Sequence, residues 1–172
     1  DGSFINITML NLDNFYRARY VLSKVVRRTD LIPAPKLNTT CNIWLKPENL
    51  QVTGSFKVRG AYYMISQLSD EEKKRGVIAC SAGNHAQGVA FSCSKLGIKG
   101  YIFMPETTPG QKIDSVKYFG KDNIEICLHG TTFDEAASAA KDFAAGNGMT
   151  FIPPFDDPDI IEGQGTVAYE II

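Results

Sequence analysis

Two short segments carry residues whose types and spacing could do chemistry. The first is Thr53-Gly54-Ser55-Phe56-Lys57-Val58-Arg59-Gly60-Ala61, in which a lysine follows a Gly-Ser loop and an aromatic residue and opens an otherwise apolar helix. A helix N-terminus disfavours positive charge, and burial lowers an amine's pKa. Both effects would make Lys57 a better nucleophile, as an imine-forming amine requires. A solvated lysine at a helix start is the plain alternative, because most lysines are exposed. The second segment is Cys80-Ser81-Ala82-Gly83-Asn84-His85-Ala86-Gln87-Gly88. It follows an apolar run and leads into a helix, the place where open α/β sheets bind ligands. Free N–H groups at such a helix start can hold a carboxylate, and Ser81 and Asn84 add side-chain donors. A capping loop with a chance polar cluster is the alternative. Two phosphate-binding fingerprints are excluded: Gly83 and Gly88 give G-x-x-x-x-G rather than G-x-G-x-x-G, and no Lys-Ser or Lys-Thr follows.

The elements that must position these segments follow from periodicity. Leu12, Phe15, Arg19, Leu22 and Val26 predict an amphipathic helix over Asn11 to Val25. Pro33 and Pro35 break the chain, and Ile43-Trp44-Leu45 reads as a short strand closed by Pro47. Val58, Ala61, Tyr62 and Ile65 form the stripe of a helix over Phe56 to Leu68. Ser69 with Glu72 is a capping box for a short charged helix. A regular alternation then begins. Strands are expected at Val77 to Cys80, Tyr101 to Met104, Ile124 to Leu128 and Thr150 to Ile152. Helices are expected at Asn84 to Leu96, at Gly110 to Phe119 and after the Thr132–Glu135 capping box, the last with Phe133, Ala136, Ala137, Ala140 and Ala144 on one face. This order predicts an α/β fold, a parallel sheet with helices on both faces and right-handed crossovers. Residues 73–152 are expected to close one small sheet domain, with 1–72 a partial larger domain carrying the lysine segment and 153–172 a return segment into it.

Eighteen Lys+Arg against nineteen Asp+Glu leave a net charge of -1, which excludes a strongly basic nucleic-acid binder and gives no reason to expect a membrane-surface protein. The longest uncharged stretch, Val77 to Ser94, is interrupted by polar residues and glycines and is no membrane span. The cysteines at 41, 80, 93 and 127 form no C-x-x-C pair, and with two histidines no zinc spacing arises, so no metal is expected. Reduced thiols in a cytoplasm are the simplest reading. A start at Asp1 and an end at Glu170-Ile171-Ile172, within an apparently helical pattern, read as cuts rather than natural termini.

Taken together, T-G-S-F-K-V-R-G-A and S-A-G-N-H-A-Q-G resemble the fold type II pyridoxal-phosphate enzymes, specifically the threonine dehydratase (threonine ammonia-lyase) group. The likeness continues through Phe103-Met104-Pro105, Thr108-Pro109 with Lys112-Ile113, Ile152-Pro153-Pro154-Phe155-Asp156-Asp157 and Glu162-Gly163-Gln164-Gly165-Thr166, so it runs from about Leu12 to the last residue, as the amino-terminal part of such an enzyme. The resemblance implies pyridoxal 5'-phosphate as cofactor. It implies dehydration and deamination of L-threonine or L-serine to a 2-oxo acid and ammonia, in the cytoplasm and in a homo-oligomer. Lys57 matches the lysine that forms the Schiff base and later moves the α-proton. Phe56 matches the aromatic packed on the pyridine ring, and Asn84 the asparagine bonded to the ring's phenolic oxygen. Ser81, with backbone N–H groups around Gly83, Asn84 and His85, matches the grip on the substrate carboxylate, His85 contributing backbone rather than imidazole chemistry. His129 is read as a surface residue. Catabolic members also bind a nucleotide effector, and Thr53, Gln87 and Tyr118 are the positions that would match that site.

Two departures from the family pattern qualify these expectations. Similar serine racemases usually have a second serine where this sequence has Ala82, which cannot transfer a proton, so elimination is favoured over racemisation. The family's phosphate cradle is a glycine-rich run, whereas the fifteen glycines here include no Gly-Gly pair. Activity of the 172-residue chain alone is therefore not expected. A serine racemase-like enzyme and a non-catalytic folding unit or interaction module are the competing readings.

Overall fold

The computed structural model describes residues 10–37 and 40–172. Its centre is a parallel sheet of β3 (Val77–Cys80), β4 (Gly100–Met104), β5 (Ile124–Leu128) and β6 (Thr150–Phe151), in the spatial order β5-β4-β3-β6. β3 is apolar and buried throughout, and its side chains alternate between two cores as strand geometry requires. Val77 and Ala79 pack with Ile102 and Met104 against Ala61, Met64 and Ile65 of α2 (Lys57–Gln67), Val89 and Cys93 of α4 (Asn84–Leu96) and Val116 of α5 (Gly110–Gly120). Ile78 and Cys80 face the other way, with Phe103, onto Ala136, Ala140 and Ala144 of α6 (Phe133–Asn147). Helices therefore cover both faces, as the alternation predicts. The larger core also runs across the expected boundary at 72/73, since α2 contributes to it.

The strand order reverses at β3. β4 and β5 lie to one side of it and β6 to the other, so the crevice at the carboxyl ends of β3 and β6 is the topological switch point. Both segments that leave those strand ends, Ser81–Gly83 and Ile152–Pro154, open onto that crevice.

The remaining elements brace α2. α7 (Pro158–Tyr169) is capped by Asp157, whose carboxylate accepts from the N–H groups of Asp159 and Ile160, with Pro158 in the first turn. It crosses α2 so closely that a Cβ on Gly163 would stand 2.7 Å from the Arg59 carbonyl oxygen. α1 (Leu12–Leu22) packs on both, burying Ala18 and Leu22 against Tyr63. β1 (Ile32–Pro33) and β2 (Trp44–Leu45) form a small antiparallel pair. The short helix α3 (Asp70–Arg75) and α6 carry the expected capping boxes.

Several local expectations need correction. α1 ends at Leu22 rather than Val25, and Leu12, on its expected apolar stripe, is 63% exposed because the buried part of the helix begins at Ala18. Phe133 is 53% exposed: it opens α6, whose buried face begins a turn later at Ala136. Pro33 does not only break the chain but pairs with Trp44, and Ile43 precedes the strand rather than starting it. The final residues Glu170–Ile172 lie beyond α7 rather than inside a helix.

Candidate functional site

Lys57 is the first residue of α2 and follows Phe56, whose side chain gives the helix no cap; Ser55 Oγ lies 3.3 Å from the Lys57 N–H. The half-buried Lys57 amine donates to the Pro154 carbonyl at 2.5 Å and lies 5.3 Å from the Phe56 ring centroid and 5.7 Å from that of Phe155. Burial pushes its pKa below the ordinary lysine value. Pro154 O also accepts from Gln164 Nε2 at 3.2 Å, so the amine's acceptor is itself tied to α7.

α4 meets α2 at Gly88. A Cβ there would lie 3.1 Å from the Val58 nitrogen and 3.2 Å from the Lys57 carbonyl carbon and oxygen. This contact, available only to glycine without strain, sets the start of α4 beside the lysine. The Ser81 hydroxyl accepts from the Gly83 N–H at 3.1 Å, while the Ser81 N–H is held by Phe103 O. Gly83 caps α4 without a side chain, and a Cβ on it would meet nothing within 4 Å, so the loop faces open space. The N–H groups of the first turn, from Asn84 onward, have no side-chain cap, which leaves them for an anion. Asn84 is exposed at the first helical position. Ala82 packs at the edge of the larger core.

His85 is the second residue of α4, so its N–H belongs to that uncapped turn, while its side chain turns inward. Its imidazole is 4% exposed, and Nε2 lies 2.9 Å from the Ile152 carbonyl oxygen. A carbonyl only accepts, so Nε2 carries the proton and Nδ1 presents a lone pair, which has no partner among the described residues. Burial pushes the ring's pKa down to about 4; the Ile152 bond works against this and the Lys57 charge adds to it. The ring is neutral at pH 7. A buried unpaired acceptor costs about 1–3 kcal/mol, whereas one hydrogen bond contributes about 0.5–1.5 kcal/mol. Stability alone does not explain a histidine here.

The three effector positions differ in exposure. Thr53 is buried, with its hydroxyl turned 3.4 Å onto Ser55 O; Gln87 is half-buried in the first turn of α4; Tyr118 is 77% exposed near the end of α5. No hydrogen bond or ring contact among the described residues joins the three. His129 lies on the surface, as expected, its N–H held by Met104 O. No cluster among the described residues could hold a metal ion. The thiols of Cys80 and Cys93 are pushed up by burial to about 11 and about 12, so they are inert.

Sequence reasoning missed Arg59. Its guanidinium, 1% exposed, makes two bonds to Glu48 (both 2.8 Å) and two to Glu170 (2.8 and 3.0 Å), and reaches Thr166 Oγ1 at 3.2 Å. Lys46 adds a second cation on Glu170 at 2.5 Å and also donates to the Thr29 carbonyl. Burial raises the Glu48 and Glu170 pKa values, but the bonds and charge of Arg59 outweigh it and both end below the ordinary range. Arg59 itself, pulled down by burial, is raised on balance by the two carboxylates. A cavity of about 140 Å³ beside this cluster, lined by Arg19, Leu22, Arg59, Tyr169 and Glu170 among others, contains neither Lys57 nor the start of α4.

A partly buried amine beside two aromatic rings, near an uncapped helix start at a switch point, is an arrangement suited to an aldehyde cofactor with an anionic substrate. The comparison with known proteins agrees. Residues 22–172 match the family described as pyridoxal-phosphate dependent enzyme, and the chain belongs to that family. It is 56% identical over 153 residues to L-threonine dehydratase biosynthetic IlvA of Lactococcus lactis subsp. lactis (strain IL1403), covering 88% of this chain and 37% of the relative. To the protein of the same name from Bacillus subtilis (strain 168) it is 49% identical, covering 96% and 40%. The processed form of threonine deaminase isoform 2 from Solanum lycopersicum superposes with a TM-score of 0.84 at 43% identity, over 94% of this chain and 46% of that one. Maize serine racemase gives 0.87 at 29% identity, over 94% and 49%. The chain thus spans about two fifths of the length of these curated relatives.

Proposed function

We propose that this chain supplies the lysine and substrate-carboxylate part of a pyridoxal-phosphate-dependent dehydratase that converts L-threonine, and L-serine, to a 2-oxo acid and ammonia. The observation that carries the reading is the Lys57 amine, desolvated and flanked by Phe56 and Phe155, set beside the start of α4 by Gly88. The residues fit the cofactor: Lys57 would hold it, Phe56 would pack on its ring, and Asn84, exposed at the helix start, would meet the ring oxygen. When bound, pyridoxal phosphate supplies the electron sink that makes the substrate's Cα–H acidic. Ser81 and the N–H groups of Asn84 and His85 orient the substrate carboxylate, with the Gly83 N–H held by the Ser81 hydroxyl at the edge of that cradle. Lys57 Nζ takes the proton from Cα, an action that a pKa lowered by burial favours.

The relatives' names support dehydration. Solved serine racemases of the same fold make racemisation the second reading, and Ala82, with no proton to give on the opposite face, favours elimination. No helix among the described residues is long and apolar enough to cross a membrane, and the described cysteines are unpaired, which supports a cytoplasmic setting. The proposal includes a homo-oligomer, to be tested by sedimentation. It also divides the chain into a small sheet domain over 73–152 and parts of a larger one on either side.

The direct test is borohydride reduction with pyridoxal phosphate present, followed by peptide mapping, in a protein extended to the length of the relatives. The pyridoxyl mass is expected on Lys57, with 2-oxo acid and ammonia formed from L-threonine. A label on Lys46 or Lys112 would overturn the assignment.

A further inference from the structure

We propose that the His85 imidazole is a positioning residue for Lys57: by fixing the Ile152 carbonyl it sets the Ile152–Pro154 corner whose last carbonyl receives the lysine amine. This rests on the reading of Lys57 given above and extends it to a side chain that takes no part in the chemistry.

Ile152 is the last residue of its segment that the sheet can hold. Its N–H donates to Ile78 O at 2.7 Å, and its carbonyl accepts from His85 Nε2 at 2.9 Å. Pro153 and Pro154 follow, and neither has an N–H to offer. Their ring-fixed φ angles make the corner stiff, so the orientation of Ile152 is passed on to the Pro154 carbonyl. That carbonyl accepts from Lys57 at 2.5 Å and from Gln164 at 3.2 Å. β3, which leads into α4, and β6, which leads into the corner, flank the switch point. The His85 bond therefore joins the two sides of the crevice, two residues before the carbonyl that receives the amine.

The unpartnered Nδ1 fits this role better than a packing role. An aliphatic side chain would fill the same buried space with no orphan acceptor; what it cannot supply is the single donor to Ile152.

The test compares trace acylation of lysines in the chain, read by peptide mass at one mildly alkaline pH, for the native protein, His85→Leu and His85→Gln. Glutamine keeps a donor of similar reach. His85→Leu should lower Lys57 labelling relative to Lys112 about fivefold, the size of one net hydrogen bond's effect, because the amine loses its fixed acceptor and becomes hydrated. His85→Gln should restore it to within about twofold of native. Unchanged Lys57 labelling in the leucine variant, or equal losses in both variants, would overturn the proposal. If the leucine variant does not fold, the native protein still decides: its ¹H–¹⁵N spectrum should show His85 as the Nε2–H tautomer with a slowly exchanging ring proton, and an Nδ1–H tautomer overturns it. Borohydride trapping on native Lys57 is the separate arm. Its failure removes the cofactor reading and leaves the positioning result standing.

Discussion

Gly88 and Lys57 touch backbone to backbone: the position a Cβ would occupy on Gly88 is 3.2 Å from the carbonyl carbon and oxygen of Lys57. Two helices start within reach of each other only because one of them lacks a side chain at the crossing.

Gly88→Ala should therefore destabilise the protein, even though alanine is the better helix former by about 1 kcal/mol. Backbone atoms cannot yield as a side-chain tip would, so the overpacking cost of about 1–3 kcal/mol prevails. Thermal unfolding checks this, with Lys57 trapping by borohydride expected to fall alongside. A variant more stable than native would show that α2 and α4 separate freely.

Removal of the Arg59 guanidinium should cost far more. Arg59→Met keeps the length and the apolar stem but leaves the Glu48 and Glu170 carboxylates, 11% and 12% exposed, with the Thr29 hydroxyl on the first and Lys46 on the second. Breaking one partner of such a buried cluster costs about 3–5 kcal/mol. Urea unfolding should show a lower midpoint with an unchanged slope. A loss below about 1 kcal/mol would place the network among surface ion pairs.

Acid should weaken the fold in two stages. His85 has its folded pKa near 4, below the ordinary 6.5, so its contribution is complete above 6.5 and is lost as pH falls through that window. The two and a half units between those values correspond to about 3 kcal/mol. Glu48 and Glu170 have depressed values, so their contribution is present above the ordinary 4.5 and is lost only below it. Denaturation midpoints measured between pH 7 and pH 4 should fall for the native protein. His85→Gln should flatten that stretch and leave the lower one intact. A native protein equally stable at pH 7 and pH 4.5 would contradict this.

Ala82→Ser adds a hydroxyl able to carry a proton in the loop that leads into α4. In a protein of the relatives' length, the D-serine fraction from L-serine should rise several-fold relative to 2-oxo acid. Chiral chromatography measures it; native racemisation as fast as elimination would favour the second reading.

Much of the sheet was legible because its signals are local. Val77-Ile78-Ala79-Cys80 is apolar on both faces, as only a covered parallel strand tolerates, and the Ser69–Glu72 and Thr132–Glu135 boxes mark their helix starts within four residues. The lysine and the glycine-asparagine loop stood out for the same reason. What stayed hidden depends on partners far away in the chain. Arg59 reads as one charge in an amphipathic helix until α7 brings Glu170 to it from 111 residues on. His85 reads as a backbone donor at a helix start until Ile152, 67 residues later, presents its carbonyl to the ring. Leu12 and Phe133 show the converse: periodicity identifies a helix but not how much of its stripe a neighbour covers.

The Arg59 cluster also imposes an order in time. Glu48 lies 11 residues before the arginine, so that pair can close while the chain is still emerging from a ribosome. Glu170 follows 111 residues later, a delay of roughly 6–20 s at ordinary synthesis rates. During that interval the β3–β4–β5 sheet can assemble on α2 and α4, whereas the outer flank of α2, including Gly60 and the Arg59 carbonyl, stays bare until α7 arrives. α7 is thus the helix that closes the flank of α2, and a nascent protein stalled before residue 157 should present that flank to chaperones.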